Sequence, residues 1–457
     1  MAAATLSLWA YVLQPRFLAQ VFAEYRGRSF EETLTFARFV DLIGDALVGH
    51  KGSGRQSFSR AQEQGTLATS SEAVYGKWRR VPLSLSLGVF TEGTARLRVL
   101  LPPQHLATEL PASVAELTVV VGDGKTLKRV AKRLLPARGA AGKVYGGKLL
   151  VAFLPSQGVA VAMAADPDGE RNECRVVPQV VEQTRQVVSG PRLWVLDRQF
   201  CDRVQTARCR EDGDHFLIRY HPKVRFCPGP TPAAVVTQDA HGRHVVEDWG
   251  WVGVETNPQR RCVRRLTLLR PGEEAISLVT DLLDAVRYPA ADLLPVYLAR
   301  WGIEQVFQQI TEVFALRRLI GSTPQATVFQ AAFCLLLYNL VQVLRGYIAR
   351  AQPQPCLAAA VSAEQLFYDV QRELTAVSVL VPPPMVVAAY TEEVSREELC
   401  QRLHDLLAAV WTSRWRKAVN TKPRPKVAKA KRSGAHTSMP RLLHAARQEH
   451  CTEAAVA

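Results

Sequence analysis

The segment YLARWGIEQVFQQI, residues 297–310, is the most informative stretch of this chain. It places Tyr297, Arg300 and Glu304 at spacings of three and four residues. In an α-helix, at about 100° per residue, these side chains share one narrow face. A cation and a carboxylate on one face usually form a modest solvent-exposed pair, worth about 0.2–0.5 kcal/mol. The segment alone therefore predicts a helix, and an ordinary surface ion pair is its simplest interpretation.

Two aspartates that follow apolar runs change this interpretation. Asp123 follows residues 117–121 (LTVVV), a β-branched run bounded by glycine that predicts a strand buried on both faces. Asp197 ends a second apolar run, PRLWVLD, at residues 191–197. Either aspartate alone is explained equally well as the start of a turn or the cap of a helix. Together with Glu304 they form a set of three carboxylates that a mixed sheet can bring together.

Three such carboxylates predict a site for divalent cations. Mg²⁺ binds a few carboxylates and completes its octahedron with water and phosphate oxygens. Two ions about 3.5–4 Å apart can activate an attacking oxygen and stabilise the leaving oxygen at a phosphodiester. We therefore expect Asp123, Asp197 and Glu304 to hold two Mg²⁺ ions, with Mn²⁺ as the alternative ion.

The order of these motifs resembles the DDE transposases of the insertion-sequence-four type, over roughly residues 112–350. In that family a strand ends in the first Asp, the second Asp precedes Arg and a further Asp, and the third block reads Tyr-x2-Arg-x3-Glu-x6-Lys. The matching positions here are Asp123 in GDGKTL, Asp197, Arg198 and Asp202 in LDRQFCD, and Tyr297, Arg300 and Glu304 in the third block. Each motif is weak alone, whereas the ordered set is specific.

The resemblance implies an α/β fold, in which a ribonuclease-H-like catalytic core holds the two aspartates on neighbouring central strands. It also implies Mg²⁺-dependent cleavage at transposon ends and strand transfer into target DNA. Asp123, Asp197 and Glu304 would then be both the catalytic and the metal-binding residues. DNA contacts are expected from Tyr297, Arg300, Arg198 and Lys125. Tyr297 and Arg300 would grip phosphate, Arg198 would orient a carboxylate or contact the backbone, and Lys125 would touch DNA or remain a solvated loop residue.

Thr311 departs from the family pattern, because a lysine that helps to hold DNA phosphate is expected there. A threonine cannot supply charge. Either Arg317 or Arg318 substitutes from farther along the chain, or strand binding is weaker, or the copy is decaying. The alternatives to a transposase are therefore a catalytically impaired or domesticated DNA-binding protein derived from one, or a ribonuclease-H-like nuclease without strand transfer.

The organisation of the chain follows from its composition and periodicity. Strands are expected at 114–123, 149–154, 158–164 and 192–197, and a helix at 174–188. Residues 205–280 alternate in short pieces separated by Pro, Gly and Asp, which is typical of β structure. The predicted domains are a helical N-terminal DNA-binding region (1–105), a catalytic core (106–204 and 281–350), a β-rich insertion (205–280), a C-terminal helical region (351–413) and a basic tail (414–457). A helical cap with a solvated basic face explains the N-terminal region almost equally well.

Charge favours a nucleic-acid partner. The chain has 457 residues, with 57 Lys+Arg against 42 Asp+Glu and a formal net charge of +15. Such a field attracts a polyanion and makes binding depend steeply on salt. Residues 414–432 contain nine basic and no acidic side chains, which is typical of a mobile arm that contacts phosphate or of a solubility tail. We expect double-stranded DNA as partner and a homodimer in the synaptic complex.

The sequence predicts no membrane span and no structural metal or disulfide framework. Residues 330–348 are the most hydrophobic helix candidate, but polar residues interrupt the run and make it too short to span a bilayer. A core helix that packs on the catalytic sheet is expected instead. Nine cysteines at scattered spacings predict reduced thiols. A cytoplasmic, nucleoid-associated protein is the expectation that follows.

Overall fold

The computed structural model describes residues 1–102, 107–128, 130, 135–239, 242–254, 256, 260–314, 316, 321–352, 356–380, 394–417 and 436–456. Within these ranges the fold is mixed α/β, with helices on both faces of one large mixed sheet. The predicted α/β class is therefore confirmed.

The helices flank the sheet and dominate both ends of the described chain. They are α1 (Ala2–Val12), α2 (Pro15–Tyr25), α3 (Phe36–Val48), α4 (Gly54–Glu63), α5 (Ser71–Arg79), α6 (Leu83–Arg98), α7 (Leu135–Arg138), α8 (Val177–Val187), α9 (Arg203–Arg208), α10 (Ala290–Leu298), α11 (Trp301–Glu312), α12 (Pro324–Arg350), α13 (Ala363–Leu380), α14 (Arg396–Leu407) and α15 (Met439–Val456).

The strands occupy the middle of the chain. They are β1 (Thr118–Thr126), β2 (Lys143–Tyr145), β3 (Lys148–Leu154), β4 (Val159–Asp166), β5 (Arg192–Leu196), β6 (His215–Arg219), β7 (Phe226–Pro228), β8 (Ala234–Gln238), β9 (His244–Val252), β10 (Arg261–Leu268), β11 (Ile276–Thr280) and β12 (His436–Ser438). The expected strands and the expected helix at 174–188 coincide with β1, β3, β4, β5 and α8, apart from shifts at their ends.

One ten-stranded sheet organises the molecule. Its order is β4-β3-β1-β5-β6-β11-β10-β9-β7, and β8 pairs with β9 from outside this path. β1, β5 and β6 run parallel to one another, whereas the remaining pairs are antiparallel. The strands of residues 205–280 therefore extend the same sheet that contains β1 and β5, because β6 pairs directly with β5.

The two faces of β1 belong to different hydrophobic clusters. Val119 and Val121 lie in the larger cluster, which includes α12 and the N-terminal helices. Val120 points the other way and lies in the cluster that includes Val180 and Val181 of α8. Because successive side chains of a strand alternate between faces, a strand covered on both sides needs a continuous apolar run. The LTVVV segment supplies that run.

Helix α12 forms the centre of the larger cluster. Its side chains are buried along almost its whole length, which confirms the predicted core helix. By length and composition α12 would suffice to cross a membrane, but its most apolar window is entirely covered by the rest of the protein. The N-terminal helices pack directly on it. Trp78 Nε1 donates a hydrogen bond to Ala326 O at 3.0 Å, and the Phe39 and Phe329 rings lie 5.3 Å apart.

Asn339 of α12 forms hydrogen bonds with the backbone of β4, the strand at the outer edge of the sheet. Backbone groups on the free side of an edge strand such as β4 have no strand partner. Ala160 N donates to Asn339 Oδ1 at 3.0 Å, and Asn339 Nδ2 donates to Ala160 O at 2.7 Å and to Thr94 Oγ1 at 3.0 Å. Asn339 is fully buried. This one side chain therefore connects the sheet, α12 and α6 by hydrogen bonds in a site without water access.

The substitution Asn339→Leu is expected to lower the free energy of unfolding by about 2–4 kcal/mol. It leaves the buried N–H and C=O of Ala160 without partners, and each such group costs about 1–3 kcal/mol. Denaturant unfolding measures the change. The control is Gln308→Leu on the exposed face of α11, which should alter stability by less than about 0.5 kcal/mol. An Asn339→Leu protein as stable as the wild type would contradict this role.

Candidate active site

Parallel pairing of β1 with β5 brings the two predicted aspartates together. The register aligns Gly122 with Leu196, so Asp123 and Asp197 are the next residues at the same edge of the sheet. Asp123 remains in β1, opposite Val151 of β3. Asp197 leaves its strand and precedes a short 3-10 helix. The carboxyl ends of parallel strands are where side chains of an open α/β sheet converge on a ligand.

The predicted single helix at 297–310 is wrong in one respect, because the structure contains two helices, α10 and α11. Between them the chain tightens into i→i+3 hydrogen bonds, from Arg300 N to Tyr297 O at 3.0 Å and from Gly302 N to Ala299 O at 2.9 Å. Periodicity alone does not reveal such a tightening, because the angular positions of the side chains change little. Tyr297 and Arg300 remain neighbours, with Arg300 Cζ 5.8 Å from the Tyr297 ring centre.

Arg300 joins two of the three predicted carboxylates. Its Nη2 lies 2.8 Å from Glu304 Oε1, and its Nη1 lies 3.5 Å from Asp123 Oδ2. Burial by itself lowers the pKa of Arg300, but the charges of Tyr297, Asp123, Asp197 and Glu304 together raise it. Arg300 is buried, so little solvent screens these interactions. One guanidinium thus acts as the shared counter-ion of the acidic cluster.

Asp123 is held in an environment that disfavours its charge. The pKa of its carboxyl is raised to about 6, mainly by burial and to a smaller extent by the nearby charges of Asp197 and Glu173. Arg300 and the backbone N–H of Gly124, which donates to Asp123 Oδ1 at 2.9 Å, oppose this rise without cancelling it. Among the residues that the structure describes, Asp197 Oδ1 is buried and accepts no hydrogen bond. Both half-buried aspartates therefore lack part of the positive charge or hydrogen bonding that would compensate for the loss of water around a carboxylate.

The two aspartates are suitable ligands for a divalent cation, whereas the Glu304 carboxylate is not grouped with them in this structure. Hard cations take carboxylate oxygens, and an under-compensated pair of half-buried carboxylates provides such ligands. In the structure Glu304 instead pairs with Arg300. Correspondingly, the described ranges contain no group of three or more His, Cys, Asp or Glu side chains arranged to hold a metal ion. In this structure Glu304 is therefore a partner of Arg300 and not a third ligand beside the aspartates.

The remaining predicted DNA-binding residues lie on or next to the elements that carry these carboxylates. Tyr297 is buried, and burial raises the pKa of its hydroxyl. Arg198 is exposed in the turn that follows Asp197. Lys125 lies two residues beyond Asp123 on the same face of β1, and burial lowers the pKa of its ammonium to about 8.

The Thr311 hydroxyl donates its hydrogen bond within α11 and not to the carboxylate cluster. Its hydroxyl donates to Phe307 O, one turn earlier in α11, at 2.6 Å. Arg317 and Arg318, the substitutes considered from the sequence, lie outside the described residues. Lys125 Nζ lies 5.2 Å from the centre of the Phe307 ring. The ammonium of Lys125 in β1 therefore contacts the turn of α11 that ends at Thr311, the position where the family has a lysine.

Sequence reasoning missed Glu173, which lies against the first aspartate. Its carboxylate is 3.6 Å from Lys148 Nζ and also accepts a hydrogen bond from Gln199 Nε2. A Cβ added to Gly124 would lie only 1.8 Å from Glu173 Oε2, so a larger residue beside Asp123 would displace this carboxylate. Glu173 thereby links the turn after Asp197 to β3 and packs against β1. The only sequence signal was the glycine in GDGKTL, since Glu173 itself lies in an unremarkable polar stretch.

Comparison with known proteins adds one informative match. Residues 115–340, just under half of the chain, match the family described as the transposase DDE domain. Asp123, Asp197 and Glu304 all lie within that range. The transposase part of the resemblance is therefore supported, whereas the match does not distinguish the insertion-sequence-four type.

Two further comparisons carry no conclusion. The cryo-EM structure of a piggyBac transposase synaptic complex with hairpin DNA aligns at 10% identity, over 86% of this chain and 87% of that chain, with a TM-score of 0.43. A likeness of this size decides neither fold nor function. No match was found among curated proteins.

The substitution Asp123→Asn is expected to stabilise the metal-free protein above pH 6. The folded-state pKa of about 6 exceeds the ordinary value of 3.8, so the folded state binds this proton more tightly than the unfolded state. The stability of the wild type therefore falls as pH rises from about 4 to 6, and the full cost of about 2–3 kcal/mol is present above pH 6. Asparagine carries no such cost.

Denaturant unfolding in EDTA at pH 8 and pH 4 measures this difference. The Asp123→Asn protein should be more stable than the wild type by about 2 kcal/mol at pH 8 and should match it at pH 4. Glu312→Gln, an exposed change on α11, is the control and should give no pH-dependent difference. An Asp123→Asn protein that is less stable at pH 8 would show that the buried carboxylate is adequately compensated.

Proposed function

We propose that this protein is a DNA transposase of the insertion-sequence-four type, which cleaves the ends of a mobile element and joins them to target DNA. The observation that carries the proposal is the cluster of Asp123, Asp197 and Glu304 around Arg300. This cluster lies within the range that matches the transposase DDE domain. Half-buried carboxylates at the ends of neighbouring parallel strands are suited to metal-assisted phosphoryl transfer.

The core of the proposed enzyme is ribonuclease-H-like. Support comes from the chain order of β1, β3, β4, α8 and β5, which is the strand-strand-strand-helix-strand order expected of that fold. Residues 106–204 and 281–350 would supply the catalytic core. Residues 205–280 would be the β-rich insertion, 351–413 the C-terminal helical region and 414–457 the basic tail.

Asp123, Asp197 and Glu304 would hold two Mg²⁺ or Mn²⁺ ions. Bound divalent ions lower the pKa of an attacking water and neutralise charge that develops on the phosphodiester. The first attack would come from water at the element end, and the freed 3′-hydroxyl would then attack target DNA. In this scheme Asp123 must be ionised to bind a cation, so cation binding should weaken as pH falls below the raised pKa of its carboxyl.

Arg300 would change partners during this cycle. In the structure its guanidinium neutralises Asp123 and Glu304. When these carboxylates are neutralised by other cations, the planar guanidinium becomes available for two parallel hydrogen bonds to a phosphate. Its Nε, which has no hydrogen-bond partner among the described residues, is a further free donor. Tyr297 would position the guanidinium and contact the phosphate beside the scissile bond.

Lys125 would replace the cation that Thr311 lacks. Its position against Phe307 places an ammonium beside the turn of α11 that follows Glu304. Arg198, exposed after Asp197, would contact the DNA backbone. The substrate is double-stranded DNA, which the net charge of +15 favours electrostatically. A homodimer would hold the two element ends in the synaptic complex.

Mg²⁺-dependent cleavage of DNA that carries the terminal repeats of the encoding element is the expected activity. Glu304→Gln should lower the cleavage rate by on the order of 10³-fold or more, because one acidic ligand is lost, while DNA binding persists. Glu312→Gln lies on the same helix, is exposed and should cleave normally. Gel assays of cleavage and binding measure both effects.

Two outcomes would contradict the proposed function. Equal cleavage by wild type and Glu304→Gln, or no cleavage by either, would favour a DNA-binding protein that has lost its chemistry. Cleaved ends that never join a target plasmid would favour a nuclease without strand transfer.

A further inference from the structure

A large groove lies in the N-terminal helical region, outside the carboxylate cluster. It has a volume of about 840 Å³ and is formed by α2, the segment 28–36, α5 and the first turn of α6, with Gln325 of α12 at one side. None of the predicted site residues lines it. Its size is in the range of pockets that take a drug-sized or nucleotide-sized ligand.

The floor of the groove is apolar. Phe22, Leu34, Phe36 and Leu85 line it and are themselves buried in the larger hydrophobic cluster. Phe30 also lines the groove, but 68% of its surface is exposed. Phe30 and the floor together form one apolar surface in the groove, and such a surface suits a ligand that is flat and apolar. The face of a nucleobase has that shape and chemistry.

The rim of the groove is cationic. Arg28, Arg79 and Arg80 line it, are exposed, and form no ion pair or hydrogen bond through their side chains within the described ranges. Lys77 is engaged differently, because its ammonium donates to Leu34 O and burial lowers its pKa. Glu32 is the one acidic side chain of the lining. Three available guanidinium groups around an apolar floor complement a chain that alternates phosphates with flat bases.

We propose that this groove binds single-stranded DNA, with an unpaired base stacked on Phe30 and flanking phosphates held by Arg28, Arg79 and Arg80. The combination of stacking platform and cationic rim is the general arrangement for single strands. A duplex exposes phosphates but no base faces, so it would leave the apolar floor uncovered. The inference rests on the proposed function for its choice of DNA, since an unpaired strand arises wherever an element end is opened.

Fluorescence anisotropy with fluorescein-labelled (dT)15 in EDTA tests the groove without any cleavage. Phe30→Ala should weaken (dT)15 binding by about tenfold and leave binding of a 15-base-pair duplex unchanged, while Phe30→Trp should restore it. The matched control is Tyr368→Ala, another exposed aromatic, which should have no effect. Equal loss with Tyr368→Ala, or no loss with Phe30→Ala, would overturn the proposal.

The cationic rim is tested by salt dependence. The double variant Arg79→Gln with Arg80→Gln should weaken (dT)15 binding and reduce the slope of log K against log[salt] by about 1.4, or about 0.7 for each lost contact. Arg55→Gln, an exposed cation of α4 outside the groove, should leave the slope unchanged. Competition by poly-glutamate as strong as by unlabelled (dT)15 would overturn the proposal in favour of an acidic protein partner.

The two proposals fail separately. If the protein binds (dT)15 through Phe30 but cleaves no DNA, the groove proposal stands and the transposase proposal fails. If the protein cleaves at element ends while the Phe30→Ala variant binds (dT)15 normally, the transposase proposal stands and the groove proposal fails.

Discussion

The parallel pairing of β1 with β5 is the constraint on which the site depends. It places Asp123 and Asp197 at the same edge of the sheet, although 73 residues separate them in the chain. The two strands approach closely at this point, because a Cβ at Gly122 would lie 2.5 Å from Leu196 Cδ2 and would displace that side chain. The two hydrophobic clusters, one on each face of β1, hold the pair in place. Elements far from the site, such as α12 and α8, thus contribute to the position of the carboxylates.

The negative charges of the carboxylate cluster are only partly compensated. Burial of Asp123 beside Asp197 and Glu173 brings negative charges close together, and Arg300 offsets only part of that repulsion. Elsewhere in the fold buried charges are better compensated. Asp214, for example, accepts hydrogen bonds from Arg185, Arg192 and Trp194. The contrast marks the carboxylate cluster as the place where the fold tolerates unfavourable charge, which is typical of functional sites.

Much of this arrangement was predictable from sequence, because it rests on local patterns. Apolar runs that end in Asp123 and Asp197 predicted the strands, and spacing predicted that Arg300 and Glu304 are neighbours. Long-range contacts were not predictable. The approach of Glu173 to Gly124 depends on how the segment before α8 folds back, and the extension of the main sheet by β6 to β11 depends on pairings between distant strands. The break between α10 and α11 was missed, because a tightened turn preserves helical periodicity. The assignment of domains and of catalytic roles remains a prediction.

The most direct test of the account is the position of bound cations. Crystals soaked in Mn²⁺ and measured at its absorption edge would reveal each ion by anomalous scattering. On this account we expect peaks for two ions at the carboxylates of Asp123 and Asp197, with Glu304 turned away from Arg300 toward them. A protein that shows no peak there, while Arg300 still bridges Asp123 and Glu304 at saturating Mn²⁺, would contradict it.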